Sequence, residues 1–267
     1  MAEIAPIVIQ VERVCAGYAE RVVLENVTFD VRRGEVFVVL GTSGCGKTTL
    51  LRNMIGLEQP LSGRVLIGGD DVVTAEGEVR RRLLRRFGVM FQSGALFGSL
   101  TLLENVRLPL EEFTDLNMEA IDLIARMKLQ LVGLQGSETR LPSELSGGMQ
   151  KRAAIARAMA LDPQILFLDE PSAGLDPVTS AGLDDLILEL AGSLGMTFVV
   201  VTHELPSIFA IASRVIMLDR ERRGIVAEGT PAALRDAPPS EKVRQFFRRE
   251  AGVESRPETK ENRSQPA

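Results

Sequence analysis

Apolar residues in this chain fall into runs of two periods. Short, nearly unbroken runs occur at Glu35–Leu40 (EVFVVL), Gly88–Phe91, Ile165–Leu168 (ILFL) and Met196–Thr202 (MTFVVVT). They predict strands covered on both faces, as in a parallel sheet. Ile7–Val14 and Arg21–Val31 carry β-branched residues broken at Gly17 and at an Asn26 turn, and predict an antiparallel β start. Gly63–Ile67 predicts a further strand, with Gly68-Gly69-Asp70-Asp71 as a turn, and Val215–Asp219 and Ile225–Gly229 predict a strand pair.

Helical spacing takes over elsewhere. Ile121, Leu123, Ile124, Met127, Leu131 and Val132 recur at helical intervals within Asn117–Leu134, and Thr101 followed by Glu104 has capping-box spacing. Asp176-Pro177 offers an N-cap and a first-turn proline for a helix to about Ser193. Glu241–Arg249 predicts a short helix burying Val243, Phe246 and Phe247. Between Ser93 and about Arg157 the pattern predicts helices and loops but no strand. The expected architecture is α/β, with a mainly parallel sheet, an N-terminal antiparallel β subdomain and a helical subdomain inserted at about 93–157. One domain is expected over 1–251, followed by a polar, charged and Pro-containing tail over 252–267 that predicts disorder.

Composition narrows the use of such a frame. With 267 residues, 45% of them hydrophobic, the chain can bury the core of one large domain. A formal charge of −5, no tryptophan and one tyrosine argue against nucleic acid, which favours basic surfaces and stacking aromatics. The two cysteines are Cys15 and Cys45, and a disulfide at Cys45 would obstruct the glycine-rich loop around it, so a reducing compartment is expected. No basic leader and no run of about eighteen apolar residues is present, so the expectation is a soluble chain that docks on a membrane protein. VRRRLLRR, within a predicted helix Glu78–Arg86, is a charge cluster. Glu76 and Glu78 stand four residues before Arg80 and Arg82, the spacing for pairing on a solvated face, while a patch for anionic lipid or a partner is the sharper reading.

The candidate chemistry starts where the first buried strand ends. Gly41-Thr42-Ser43-Gly44-Cys45-Gly46-Lys47-Thr48, followed by Thr49, is G-x-x-x-x-G-K-[ST] between a predicted strand and a predicted helix, the context that a phosphate-binding loop requires. Gly41, Gly44 and Gly46 let backbone N–H groups turn inward. The helix start adds its positive end, Lys47 adds a charge for the β- and γ-phosphates, and Thr48 is placed to ligate Mg²⁺. A second strand delivers Asp169 as a Mg²⁺-side ligand, with Glu170 beside it able to deprotonate an attacking water. Leu145-Ser146-Gly147-Gly148-Met149-Gln150 reads as a capped helix start with N–H groups to offer. One triphosphate does not need two helix ends from one domain, so the second is expected to serve a neighbour's nucleotide. Tyr18 reads, on the residues alone, either as a core aromatic or as a ring stacking on adenine, with the core reading the simpler.

In this order, the phosphate loop, Gln92, LSGGM, ILFLDE, SAGLD and His203 resemble the ATP-binding cassette (ABC) ATPases, over nearly everything from Val11 to Gly229. The resemblance implies a P-loop NTPase core and a head-to-tail homodimer with ATP and Mg²⁺ between phosphate loop and opposing signature. It implies roles for Ser146, Gly147 and Gly148 acting in trans, for Gln92 at Mg²⁺ and water, for His203 at the γ-phosphate and for Asp176 at the seam. It also assigns Tyr18 to adenine, reversing the residue-only preference. FQSGALFGSLTLLENVRLPL, PSELSGGMQKRAAIARA, HELPSIFAIASRVIMLD and EKVRQFF are similar to the ATPases of MCE/Mla-type phospholipid transport systems of bacteria. That closer likeness implies a chain at the cytoplasmic face of the inner membrane, an integral membrane permease, an MCE lipid-binding protein and a STAS-domain protein as partners, and no nucleic acid. The alternatives are an importer ATPase for another small solute and a non-transport ABC ATPase. DNA-repair members carry long coiled coils between their halves, and ribosome factors carry two cassettes; this chain has a short helical gap and one cassette.

Overall fold

The computed structural model describes residues 5–18 and 21–248. In chain order the elements are β1 (Ile7–Tyr18), β2 (Arg21–Arg32), β3 (Val36–Gly41), α1 (Lys47–Met54), β4 (Ser62–Ile67), β5 (Asp70–Asp71), α2 (Gly77–Leu84) and β6 (Phe87–Met90). They continue with α3 (Leu102–Phe113), α4 (Met118–Leu131), a 3₁₀ turn at Pro142–Glu144, α5 (Gly147–Ala158), β7 (Ile165–Asp169), α6 (Pro177–Leu194), β8 (Thr197–Val201), α7 (Leu205–Ile211), β9 (Arg214–Asp219), β10 (Gly224–Gly229), α8 (Pro231–Asp236) and α9 (Glu241–Arg248).

Two sheets form. The antiparallel one has the order β2-β1-β4-β5, and the other the order β10-β9-β3-β8-β7-β6, parallel throughout except for β10 at its edge. The unbroken apolar runs are explained by the central strands, each of which feeds two cores. In β3, Val36, Val38 and Leu40 point to the core shared with α3–α7, while Phe37 and Val39 point to the core under the antiparallel sheet and α1. β7 and β8 alternate in the same way, with Leu166, Leu168, Phe198 and Val200 on one side and Ile165, Phe167, Val199 and Val201 on the other. Phe29 of the antiparallel sheet stacks on Phe37 at 5.2 Å, tying the layers together. Between β6 and β7 no strand occurs among the described residues. Here Thr101 closes its capping box with Glu104 and opens α3, and Asn117 caps α4.

Several sequence expectations are corrected. Asn26 is no turn: it lies inside β2 with φ 50°, where β2's pairing with β1 shifts register. Asp70-Asp71 leave the predicted turn and pair with Ile67 and Leu66 as β5. Arg82 reaches Asp70 at 3.6 Å instead of the predicted Glu78, and Arg80 donates to the Val72 carbonyl at 3.2 Å instead of pairing with Glu76, because the β4–β5 hairpin brings a closer carboxylate, which Arg86 also meets at 3.1 Å. α7 and α8 went unread because helices this short carry too few turns to display a period; each has a proline in its first turn. Phe246 is half-buried, not a core residue like Val243 and Phe247. The tail over 252–267 lies outside the described residues. No helix among the described residues is long and apolar enough to cross a membrane.

Candidate functional site

The site lies beyond the carboxyl ends of the parallel strands, where open α/β sheets bind ligands. β3 ends at Gly41, whose φ of 150° and surroundings leave no room for a side chain: a Cβ there would sit 2.5 Å from the Leu218 carbonyl oxygen and 2.7 Å from Cys45 Sγ. The loop then turns through Gly44 and Gly46, at φ 75° and 102°, into α1. No side chain caps α1. Lys47, buried, folds back to donate to the Gly41 and Thr42 carbonyls at 2.8 and 3.3 Å.

A cavity of about 770 Å³ opens over this loop. Its walls include Tyr18, Gly41, Thr42, Ser43, Gly44, Gly46, Lys47, Thr48, Thr49, Gln92, Glu170 and His203, together with Arg21, Val23 and Phe246. Cys45 lies beneath the loop, 1% exposed, and burial pushes its thiol pKa up. Asp169 lines an adjoining cavity of about 470 Å³ with Thr48, Gln92 and Arg52. Tyr18 is exposed and its hydroxyl pairs with Thr49 Oγ1 at 3.2 Å, so the core reading fails.

β7 and β8 are parallel neighbours, and this places the two polar turns that follow them side by side. Glu170, at φ 46°, is one of few non-glycine residues in the left-handed region, and its N–H donates to the Val201 carbonyl at 2.8 Å. Its Oε1 lies 2.8 Å from His203 Nδ1, while its Oε2 is buried without a hydrogen-bond partner. Asp169 Oδ1 is buried and unpartnered as well. Burial raises the Asp169 carboxyl above the usual carboxylate range, and the Glu170 charge adds to this against the pull of Arg52, Lys47 and Lys151. Two orphaned carboxylate oxygens beside Thr48 and Gln92 suit a cation. Among the described residues no three His, Cys, Asp or Glu side chains form an all-protein metal site, so a Mg²⁺ ion here would complete its shell with phosphate oxygens and water.

Ser146, Gly147 and Gly148 are not among the residues lining this cavity. Ser146 accepts from the Met149 N–H at 3.3 Å and starts α5, with Ser146 and Gly147 exposed. α5 still reaches the site from behind: Lys151 donates to the Gln92 carbonyl and, at 3.4 Å, to that of Glu170. Burial lowers the Lys151 pKa. Asp176 caps α6, accepting from the Val178 and Thr179 N–H groups at 3.0 and 3.1 Å.

Residues 24–173, from β2 to just past the Glu170 turn, match the family described as ABC transporter. The chain belongs to this family. The cassette is 42% identical over 227 residues to the intermembrane phospholipid transport system ATP-binding protein MlaF of Escherichia coli (strain K12), covering 85% of this chain and 83% of that protein. It is 42% identical over 215 residues to the probable ribonucleotide transport ATP-binding protein mkl of Mycobacterium leprae, covering 80% of this chain and 62% of that protein, so it spans less than two thirds of that relative's length. Among solved structures, the ATP-binding cassette MJ0796, in a dimeric post-hydrolysis state bound to ADP and Pi, matches with TM-score 0.74 and 30% identity over 83% of this chain and 98% of that one. Sequence reasoning missed Arg21, Val23 and Phe246 as cavity residues. Arg21 is the register partner of Tyr18 across the β1–β2 pairing and Val23 lies two residues further along β2, a placement set by the hairpin, whereas Phe246 had no local signal.

Proposed function

We propose that this cassette is the ATP-hydrolysing subunit of a membrane transport system whose cargo is phospholipid. The observation that carries the hydrolytic reading is the joint wall of one cavity: phosphate loop, Gln92, and the Glu170–His203 pair at 2.8 Å. On this reading Gly41–Thr49 hold the triphosphate through backbone N–H groups, and Lys47 exchanges its loop carbonyls for phosphate oxygens. Tyr18 stacks on the base. Glu170 accepts the proton of the attacking water, and His203, hydrogen-bonded to it, orients that carboxylate and holds the γ-phosphate. Thr48, Asp169 and Gln92 hold Mg²⁺, which when bound neutralises charge on the β- and γ-phosphates.

The exposed Ser146–Gly147 helix start, outside its own chain's cavity, supports a pair of copies in which each signature completes the other's site. Hydrolysis then reopens the pair. Similarity to MlaF, of an intermembrane phospholipid transport system, supports phospholipid as the cargo. On this reading the chain sits at the cytoplasmic face of the inner membrane, with an integral permease, a periplasmic MCE lipid-binding protein and a STAS-domain protein as its partners. The test is co-purification of the full chain with its membrane subunits, followed by ATPase, association and labelled-phospholipid transfer assays. ATP-dependent pairing of the Glu170→Gln protein supports the reading; a strict monomer under saturating Mg-ATP beside those subunits overturns it. Transfer of another solute but not phospholipid overturns the cargo alone.

A further inference from the structure

One element at the carboxyl edge of the parallel sheet is not accounted for by the phosphate loop, the carboxylates or the signature: the C-terminal helix α9. Near its start, Lys242 pairs with Asp219 at 3.2 Å and with Glu221, at and just after the end of β9. Near its end, buried Phe247 meets Phe209 of α7 edge-on at 5.9 Å, and the Arg235 guanidinium lies over the Phe209 ring at 5.4 Å. α9 therefore runs from the strand beside β3 to the helix that follows His203. Phe246, edge-on to Phe247 at 5.6 Å, lies on the wall of the nucleotide cavity with Gln92, Glu170 and His203.

A phenyl ring on the wall of such a cavity offers neither charge nor a strong hydrogen bond. What it supplies is volume that excludes water and limits the motion of its neighbours. The His203 side chain has need of both, being 55% exposed while its Nδ1 holds Glu170. We propose that Phe246 is a positioning residue for hydrolysis: α9, tethered through Lys242 and Phe247, holds its ring in the cavity wall, where it shields the Glu170–His203 pair from bulk water and restrains the imidazole. This rests on the hydrolytic reading above and extends the reacting site to the C-terminal helix.

The test uses the full chain with its membrane subunits, measuring steady-state ATPase kinetics, nucleotide affinity by equilibrium titration and folding by thermal melting. Phe246→Ala should lower kcat about tenfold with KM within about twofold, since a small misplacement of reacting groups can cost up to about a hundredfold. Phe246→Leu, which restores apolar volume, should recover most of the rate, and Gln245→Ala on the same helix should leave it unchanged. Lys242→Ala removes an exposed tether rather than the ring, and should lower kcat about threefold at unchanged KM. A folded Phe246→Ala protein with wild-type kcat, or one whose loss falls entirely in KM, overturns the proposal. If Phe246→Ala does not fold, an unchanged kcat in Lys242→Ala overturns it. A wild-type protein whose ATPase activity is insensitive to Glu170→Gln would bring down the hydrolytic reading, whereas normal turnover in Phe246→Ala brings down this inference alone.

Discussion

α1 follows a glycine and α5 begins with two, yet their first turns are built in opposite ways. α1 starts behind Gly46 at φ 102°, has no side-chain cap, and sends Lys47, Thr48 and Thr49 into the wall of a cavity. Its lysine waits on loop carbonyls that a phosphate can replace. α5 starts behind Ser146 in extended geometry, and the Ser146 hydroxyl accepts from its own Met149 N–H. Gly148 there is packed so closely that a Cβ would lie 2.3 Å from Thr179 Cγ2 of α6. Both ends carry the partial positive charge of a helix N-terminus. Only the uncapped one stands in a concave wall with a full charge beside it. A helix end alone does not make an anion site; surrounding shape and unspent donors do, and α5 lacks the enclosing wall in its own chain.

The largest expected break in this contrast comes from Lys47→Ala. Hydrogen bonds to charged groups are worth up to about 3 kcal/mol, so nucleotide affinity should fall by on the order of a hundredfold. Equilibrium titration showing unchanged affinity would remove α1 from the phosphate site. Glu170→Gln comes next, with nucleotide affinity kept and kcat lower by about a hundredfold or more. Single-turnover kinetics measure it, and near-normal turnover would remove the proposed role of Glu170 as base.

Changes at the α5 end should leave monomer affinity alone and act on stability and pairing. Gly148→Ala forces α5 away from Thr179 at an overpacking cost of about 1–3 kcal/mol, and should abolish ATP-dependent association measured by light scattering. Retained association would show that the glycine serves only local packing. Ser146→Ala should have the smallest effect, lowering stability by about 1 kcal/mol for the lost cap, read by denaturant titration. A tenfold loss of ATP affinity in that monomer would erase the distinction between the two helix ends.

How much could be read in advance follows the range of the interactions. The phosphate loop was legible because its glycines, lysine and hydroxyl act within eight consecutive residues, Gly41–Thr48. The Thr101 and Asp176 caps were legible for the same reason: a cap and its N–H partner lie within three residues. The two-sided strands could be recognised as buried, although their sorting of alternate residues into separate cores could not. The pairing of Arg82 and Arg86 with Asp70 was missed because it depends on a hairpin, not on helix spacing. On the residues alone Tyr18 was ambiguous because stacking and core packing demand the same ring; the family resemblance favoured the stack, and its exposed place on the cavity wall rules out the core reading.

The sequence by itself determined the local chemistry: a glycine-rich loop between strand and helix, a strand ending in two successive carboxylates, and a self-capped glycine helix start. Each depends on bond rotations and hydrogen bonds among near neighbours in the chain. The tertiary structure alone decided which of these meet. The parallel pairing of β7 with β8 sets Glu170 against His203, 33 residues on, Lys151 ties α5 to the backs of Gln92 and Glu170, and α9 carries Phe246 into the cavity wall. Contacts between residues this far apart are chosen by how sheets and helices bury their apolar faces, and no local spacing encodes that choice.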